Sequence, residues 1–285
     1  CDVLQLPPIE DGQRVDTGVI EAALEASAGT KRHAVANALR RFPHAVSGSI
    51  MEAMLFAPAQ HGHANRERLP WQKLTALDAN EYPPELVQLN VSFRSVAPIV
   101  GFLSDQLYPR LAAHATGSPS ALAPFAVIRH DVDPALVPAT ALTLRIPSLR
   151  QTEAASIVAK VSELLTDHGC QSVGVVTVHR DQRRELQAMM SLRFGTTTAL
   201  AKKVVVDTVE KMQGQEYDAV VVALAAVRPT FALQLRRLNV AVSRAKRHVC
   251  VSYCTGLVAM GLHAPNATAD TVDAAAFLQA VGAAS

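Results

Sequence analysis

Short apolar runs that alternate with helix-like segments dominate the second half of the chain. Residues 172–178 and 219–227 are almost entirely apolar. Strands buried on both faces of a parallel sheet have this continuous apolar pattern. Ahead of the first run, residues 152–168 place apolar side chains on one helical face, with Thr152 as a predicted cap and Gly169 as a stop. The alternation predicts an α/β fold with a parallel sheet flanked by helices.

The remaining segments extend this pattern unevenly. Residues 1–12 are typical of the end of a strand that enters a loop, and residues 13–80 are less regular. Ala, Pro and Ser accumulate in residues 112–138, which we expect to be a connecting segment. The other predicted strands cover residues 86–91, 141–146, 203–207 and 248–253, and the other predicted helices cover residues 96–107, 180–191, 234–247 and 271–281.

Composition permits a sizeable core but identifies no ligand. Apolar residues make up 49 % of the 285 residues. The formal net charge of +2 and the pI of about 8.4 are too mild to indicate nucleic-acid binding by themselves. No apolar run reaches the ~18 residues of a membrane span and no secretory leader is visible, so we expect no membrane partner. The cysteines lack metal-ligand spacing, so we expect buried thiols, no metal site and a reducing, cytoplasmic compartment.

Polar chemistry is concentrated in residues 206–218, a turn between two strands. Glu210, Glu216 and Asp218 crowd this turn together with two glutamines. Gly214 allows the backbone to approach a ligand, and the amides of such a turn can contact phosphate. A solvated loop is the alternative that the spacing leaves open.

A second polar segment, residues 236–247, combines helical spacing with basic side chains. Asn239 and Ser243 place small polar groups beside Arg244 at the end of the predicted helix. An arginine that reaches a transferred phosphoryl group across a cleft can increase the rate by about 10³–10⁵-fold. An ordinary basic helix face is the alternative.

Both segments resemble motifs V and VI of superfamily 1 helicases, in the branch that includes the nonsense-mediated-decay RNA helicase. That branch carries V-x-T-V/I-x-x-x-Q-G-x-E-x-D, followed by L-N-V-A-x-S/T-R-A-K/R. Residues 238–246 match the second pattern. The residues that match the first pattern are Val206, Thr208, Val209, Gln213, Gly214, Glu216 and Asp218.

Three further segments resemble motifs of the same family, and all five occur in family order. Residues 2–8 are similar to motif III, and residues 89–95 are similar to motif IV. Residues 173–182 resemble the strand and turn I-G-V-I-T-P-Y-R-x-Q. In that segment Val178 and His179 replace the proline and tyrosine, which weakens any inference about base stacking there.

The resemblance implies a second RecA-like motor domain of an ATP-dependent DNA or RNA helicase. The residues implied on the ATP side are Gln5, Arg94, Gly214, Glu216 and Arg244, of which Gln5, Arg94 and Arg244 would act in catalysis. The residues implied on the side of the single-stranded nucleic acid are Thr177, Thr208 and Val209, with free hydroxyls expected on the two threonines. Nearby basic side chains, which an exposed helix face explains equally well, are Arg180, Arg183 and Arg184.

The sequence lacks G-x-x-x-x-G-K-[ST] and any adjacent Asp-Glu pair, so it contains neither a P-loop nor motif II. We expect residues 1–80 to hold a remnant of a first motor domain and a connecting segment, and residues 81–285 to form the second RecA-like domain. ATP and Mg²⁺ are expected in the full-length protein, with the metal ligands outside this chain. The missing first RecA-like domain is the expected partner across the ATP cleft.

One alternative function is a RecA-like module that binds nucleic acid or a partner protein without hydrolysing ATP. An intact motif VI arginine at Arg244 argues against this alternative, because a clamp needs no arginine that reaches a phosphate.

We expect the 285-residue chain to hydrolyse no ATP by itself, because it lacks the P-loop and motif II. Steady-state ATPase assays with and without a single-stranded oligonucleotide test this. Turnover stimulated by the oligonucleotide would contradict the expectation, whereas weak nucleotide binding would not.

Overall fold

A five-stranded sheet in which every strand runs parallel to its neighbours forms the centre of the described part of the chain. This computed structural model describes residues 89–108, 110–114, 122–131, 147–224, 232–263 and 268–285. The strands are β1 (Val91–Ser92), β2 (Ala112–Ala113), β3 (Phe125–His130), β4 (Val173–Thr177), β5 (Val204–Thr208), β6 (Tyr217–Leu224) and β7 (Ala245–Cys254). The sheet order is β3-β7-β6-β4-β5, and β1 and β2 form a separate parallel pair.

Helices cover both faces of the sheet. They are α1 (Ala97–Gln106), α2 (Pro147–Thr166), α3 (Arg180–Phe194), α4 (Val209–Met212), α5 (Leu235–Val242), α6 (Thr255–His263) and α7 (Ala269–Ala284). Apolar residues of α2 and α3 form one buried cluster with alternate residues of β4 and β6. α4, α5 and α7 contribute nothing to that cluster but contact β4, β6 and β3, so they cover the opposite face. The predicted fold class, an α/β domain with a parallel sheet flanked by helices, is confirmed.

The two longest apolar runs form the middle of the sheet, as predicted. β4 is buried over its whole length, and β6 is buried except at Asp218. In the register, Val173 lies beside both Val204 of β5 and Ala219 of β6. β4 and β6 therefore have a strand on each side and a helical layer on each face, which requires apolar side chains in both directions.

Helix ends are less well predicted than helix positions. α2 begins at Pro147, ahead of the predicted cap at Thr152, whereas Gly169 has a positive φ of 60° just after the helix, as expected of a stop. The predicted helix over residues 234–247 is too long. α5 ends at Val242, because the backbone from Ala245 onward pairs with β6 and so forms β7.

Two other expectations were wrong or incomplete. Residues 112–138 are not only a connecting segment, because they contain β2 and β3. β3 is an edge strand whose residues are partly exposed, so it lacks the continuous apolar pattern of β4. α6 was not predicted. The strand expected over residues 141–146 and the division at residue 80 fall outside the described residues.

The cysteines of the described region are buried free thiols, as predicted. They are Cys170, Cys250 and Cys254, and burial raises the pKa of Cys250 to about 12. Over the same region, no helix is long and apolar enough to cross a membrane.

Gly174 is the point where β4 makes room for an aromatic ring. A Cβ atom built there would lie 2.6 Å from Cδ2 of Tyr217 and 2.8 Å from its Cε2. Such distances are shorter than van der Waals contact, so the ring or the strand must shift if a methyl group is added.

We predict that Gly174→Ala lowers the free energy of unfolding by about 1–3 kcal/mol, the usual cost of overpacking a core. Chemical denaturation of the purified chain measures this. The control is Gly101→Ala, since a Cβ at that position in α1 meets nothing within 4 Å. Alanine has a higher helix propensity than glycine, so the control substitution should leave the free energy of unfolding unchanged or raise it. Equal effects of the two changes would contradict the packing argument.

Candidate functional site

Three chain segments that are far apart in sequence meet where β6 and β7 begin. The hydroxyl of Ser95 donates a hydrogen bond to the carbonyl of Ala245 over 2.6 Å. The backbone N–H of Val96 donates to the carbonyl of Lys246 over 2.8 Å. The segment resembling motif IV is thereby fixed beside the first residues of β7, at the amino edge of the sheet.

An ion-paired group lies at this junction, and we call Arg94, Glu216 and Lys246 the amino-edge charge cluster. The Glu216 carboxylate accepts from Arg94 Nε over 3.1 Å and from Lys246 Nζ over 2.8 Å. Arg94 Nη1 also donates to the carbonyl of Ser243 over 3.0 Å. The side chains are 34 %, 46 % and 38 % exposed for Arg94, Glu216 and Lys246, so all three remain accessible to a ligand. Arg94 and Glu216, which the resemblance implied on the ATP side, are thus in direct contact.

The cluster carries more positive than negative charge. Hydrogen bonds from Lys246 and then from Arg94 hold the pKa of Glu216 below its usual range, which keeps the carboxylate ionised. Two cations face this one carboxylate, so the cluster has a net formal charge of +1 at neutral pH. Exposed ion pairs each contribute only about 0–1 kcal/mol. An incoming anion can therefore displace the carboxylate at little cost.

Gly214 lies in the exposed turn that leads to Glu216. Its φ of 86° is in the left-handed region, which favours glycine. No atom lies within 4 Å of the position that a Cβ would take, so the backbone faces open space. This geometry is compatible with the predicted close approach of a ligand.

Arg244 does not present its side chain for contact across a cleft, in contrast to the expectation from its motif. Its side chain is buried, with 2 % of the residue exposed. Nε donates to the carbonyl of Val240 over 3.1 Å, and Nη2 donates to the hydroxyl of Ser243 over 2.9 Å. The guanidinium thus binds the end of the preceding helix, α5, where the last carbonyls have no partner within the helix. Gln5 lies outside the described residues.

Thr177 and Thr208 lie side by side at the carboxyl ends of β4 and β5, on one side of the sheet as expected. Both are buried, and the Thr177 hydroxyl donates to the carbonyl of Asp207 over 3.3 Å, so the expected free hydroxyl at Thr177 is wrong. Val209 begins α4 and is also buried. All three residues that the resemblance implied on the side of the nucleic acid are therefore buried.

The basic residues at the start of α3 differ in exposure. Arg183 pairs with Asp207 over 2.9 Å and ties α3 to β5. Arg180 and Arg184 are exposed. These two cations lie near the carboxyl edge, because α3 begins soon after β4 ends at Thr177.

A buried carboxylate that the motif analysis missed organises the same edge. Glu153 of α2 is 1 % exposed and accepts from Gln182 Nε2 over 2.7 Å. It also accepts from the Leu224 backbone N–H over 3.0 Å and from the Ser252 hydroxyl over 2.9 Å. One carboxylate thus joins α2, α3, β6 and β7. The available signal was its position four residues before Ile157, on the apolar stripe of the helix.

The described region contains no set of side chains suited to binding a metal ion. No group of three or more His, Cys, Asp or Glu residues there could hold a metal ion.

Comparison with known proteins defines the family. Residues 72–252 match the family described as AAA domain, so the chain belongs to that family. No curated protein matches the chain. One solved structure that matches is the C-terminal domain of a possible DNA helicase from Lactobacillus plantarum WCFS1. The two are 18 % identical with a TM-score of 0.37, over 58 % of this chain and 88 % of the other.

We predict that Glu216→Gln destabilises the protein by at most about 2 kcal/mol at neutral pH, since it weakens two solvent-exposed ion pairs, each worth about 0–1 kcal/mol. Because folding lowers the pKa of Glu216 from 4.5, its contribution is complete above that pH. It is lost as the pH falls through the lowered value. Denaturation of both proteins from neutral pH to pH values below 4.5 measures the difference. A difference that persists unchanged at the lowest pH would contradict the ionic origin.

Proposed function

We propose that this chain is the second RecA-like motor domain of a superfamily 1 helicase. In the full-length protein, ATP hydrolysis would drive movement along single-stranded DNA or RNA. The observation that carries this proposal is the amino-edge charge cluster. It joins Arg94, Glu216 and Lys246, one from each of the segments that resemble motifs IV, V and VI. The likeness to the nonsense-mediated-decay branch belongs to the same proposal.

The cluster fits the phosphates of ATP, which would supply the anhydride bond whose hydrolysis drives movement. Arg94 presents a planar guanidinium that can bind two phosphate oxygens at once, and Lys246 adds a second positive charge. When no ligand is bound, the Glu216 carboxylate holds both cations in place. The cleft would be completed by the first motor domain, and that domain is expected to bring the ligands for Mg²⁺.

Arg244 has a different role in this proposal. Its guanidinium holds the end of α5 by binding Val240 and Ser243. Because Arg94 donates to the Ser243 carbonyl, this helix end also orients Arg94. We therefore assign Arg244 to supporting the cluster and assign the phosphate contact to Arg94.

Nucleic acid would bind along the carboxyl edge of the sheet. The exposed cations Arg180 and Arg184 can attract phosphates regardless of sequence. The buried residues Thr177 and Thr208 would support this edge by packing beneath its surface. Closure on ATP at one edge and opening after hydrolysis would then move the strand at the other.

A RecA-like module that binds nucleic acid or a partner protein without hydrolysis is the second candidate. The burial of Arg244 favours it, because a buried arginine cannot reach a phosphate across a cleft. ATP turnover by the full-length protein separates the two candidates.

We predict that Arg94→Ala in the full-length protein lowers the ATPase kcat by about 10²–10³-fold, as expected when one donor to a developing charge is removed. Arg94→Lys should restore only part of the rate, because an ammonium keeps the charge but lacks the planar fork. Steady-state kinetics at saturating ATP and oligonucleotide measure both variants.

The matched control is Arg150→Ala, which removes another ion-paired arginine, from α2. Its kcat should stay near that of the unmodified protein. A full-length protein that turns over ATP normally with Arg94→Ala would refute the assignment of the phosphate contact.

A further inference from the structure

The segment between β5 and β6 crosses the whole height of the sheet. Thr208 ends β5 beside Thr177, and Thr177 lies beside Ala223 near the carboxyl end of β6. The chain nevertheless enters β6 at Tyr217, at the amino edge. Residues 209–216 therefore run back by about 20 Å, at ~3.3 Å per strand residue, and link the two proposed binding edges directly.

α4 is the first part of this crossing, and it is a single helical turn of four residues. So short a helix cannot hold its own conformation, so its position depends on what it contacts. Val209 and Met212 are buried against the sheet. Glu210, on the same turn, contacts α5 through its side chain.

Glu210 and Arg237 form an ion pair between α4 and α5, with 3.0 Å between Oε1 and Nη2. The side chains are only 26 % and 15 % exposed, so the pair is better shielded from solvent than the amino-edge charge cluster. Burial lowers the pKa of Arg237, while the charge of Glu210 opposes that shift. Attraction between partly buried charges is stronger than between fully solvated ones.

α5 carries this contact onward to the amino edge. The carbonyl of Ser243, the residue that caps the end of α5, accepts a hydrogen bond from Arg94, and Arg244 binds the same helix end. A displacement of α4 is therefore passed through Glu210 and Arg237 to the helix that orients Arg94.

We propose that the Glu210–Arg237 ion pair is the positioning contact that couples strand binding at the carboxyl edge to the amino-edge charge cluster. This inference rests on the proposed function. Neither side chain is assigned a contact with ATP or nucleic acid. The ion pair acts by making the two packed helices α4 and α5 move together.

The test measures ATP turnover of the full-length protein with and without oligo(dT) or oligo(U). The proteins compared are the unmodified protein, the variant Glu210→Gln, and a double variant that reverses the pair, Glu210→Arg with Arg237→Glu. Basal turnover and oligonucleotide affinity should change little in Glu210→Gln. Stimulation by the oligonucleotide should fall by about 10-fold, within the usual range of coupling between two sites. The reversed pair should recover stimulation to within about 3-fold, because it restores the attraction.

The matched control is Glu185→Gln, which breaks the ion pair with Arg150 between α2 and α3. It should leave stimulation intact, and a loss equal to that of Glu210→Gln would overturn the inference. Full stimulation in Glu210→Gln, or none in the reversed pair, would overturn it as well. If Glu210→Gln does not fold, Glu210→Asp replaces it, with a smaller loss expected and full stimulation again contradicting the inference. Absence of stimulation in the unmodified protein would instead count against the proposed function.

Discussion

The parallel pairing of β6 between β4 and β7 is the constraint on which the rest of the structure depends. Because all five strands point the same way, every strand start lies at one edge of the sheet and every strand end at the other. The charge cluster forms at the first edge, where β6 and β7 begin. The proposed strand-binding surface lies at the second, where β4 and β5 end. A one-residue shift of β6 would turn its side chains to the wrong faces and separate these groups.

The role of each charged group in this sheet follows from how deeply the group is buried. The buried carboxylate of Glu153 accepts three hydrogen bonds. Removal of one partner from a buried charged contact costs several kcal/mol, so Glu153 has a fixed structural role. The amino-edge charge cluster is exposed and weakly held, which suits groups that exchange partners when an anion arrives. The Glu210–Arg237 pair lies between these limits. This intermediate exposure fits a contact that must persist while the helices it joins move.

The sequence predicted the central strands well because their environment determines their composition. β4 and β6 are buried on both faces, and only apolar residues satisfy that environment. The edge strand β3 was missed because partial exposure permits mixed residues. Among the site residues, the resemblance implied Arg94 and Glu216 on the same side of the domain, where they are in contact. The burial of Arg244 was not predicted, because spacing along a helix does not reveal that a side chain will turn back onto the carbonyl of Val240.

The proposed function requires ATP to bind at the amino edge of this sheet, against Arg94. A structure of the full-length protein with a non-hydrolysable ATP analogue and a single-stranded oligonucleotide tests it most directly. We expect a phosphate oxygen within hydrogen-bond distance of the Arg94 guanidinium, with the Arg94–Glu216 pair opened. An analogue bound at the opposite edge, beside Leu224 and Ser252, with that pair intact, would contradict it.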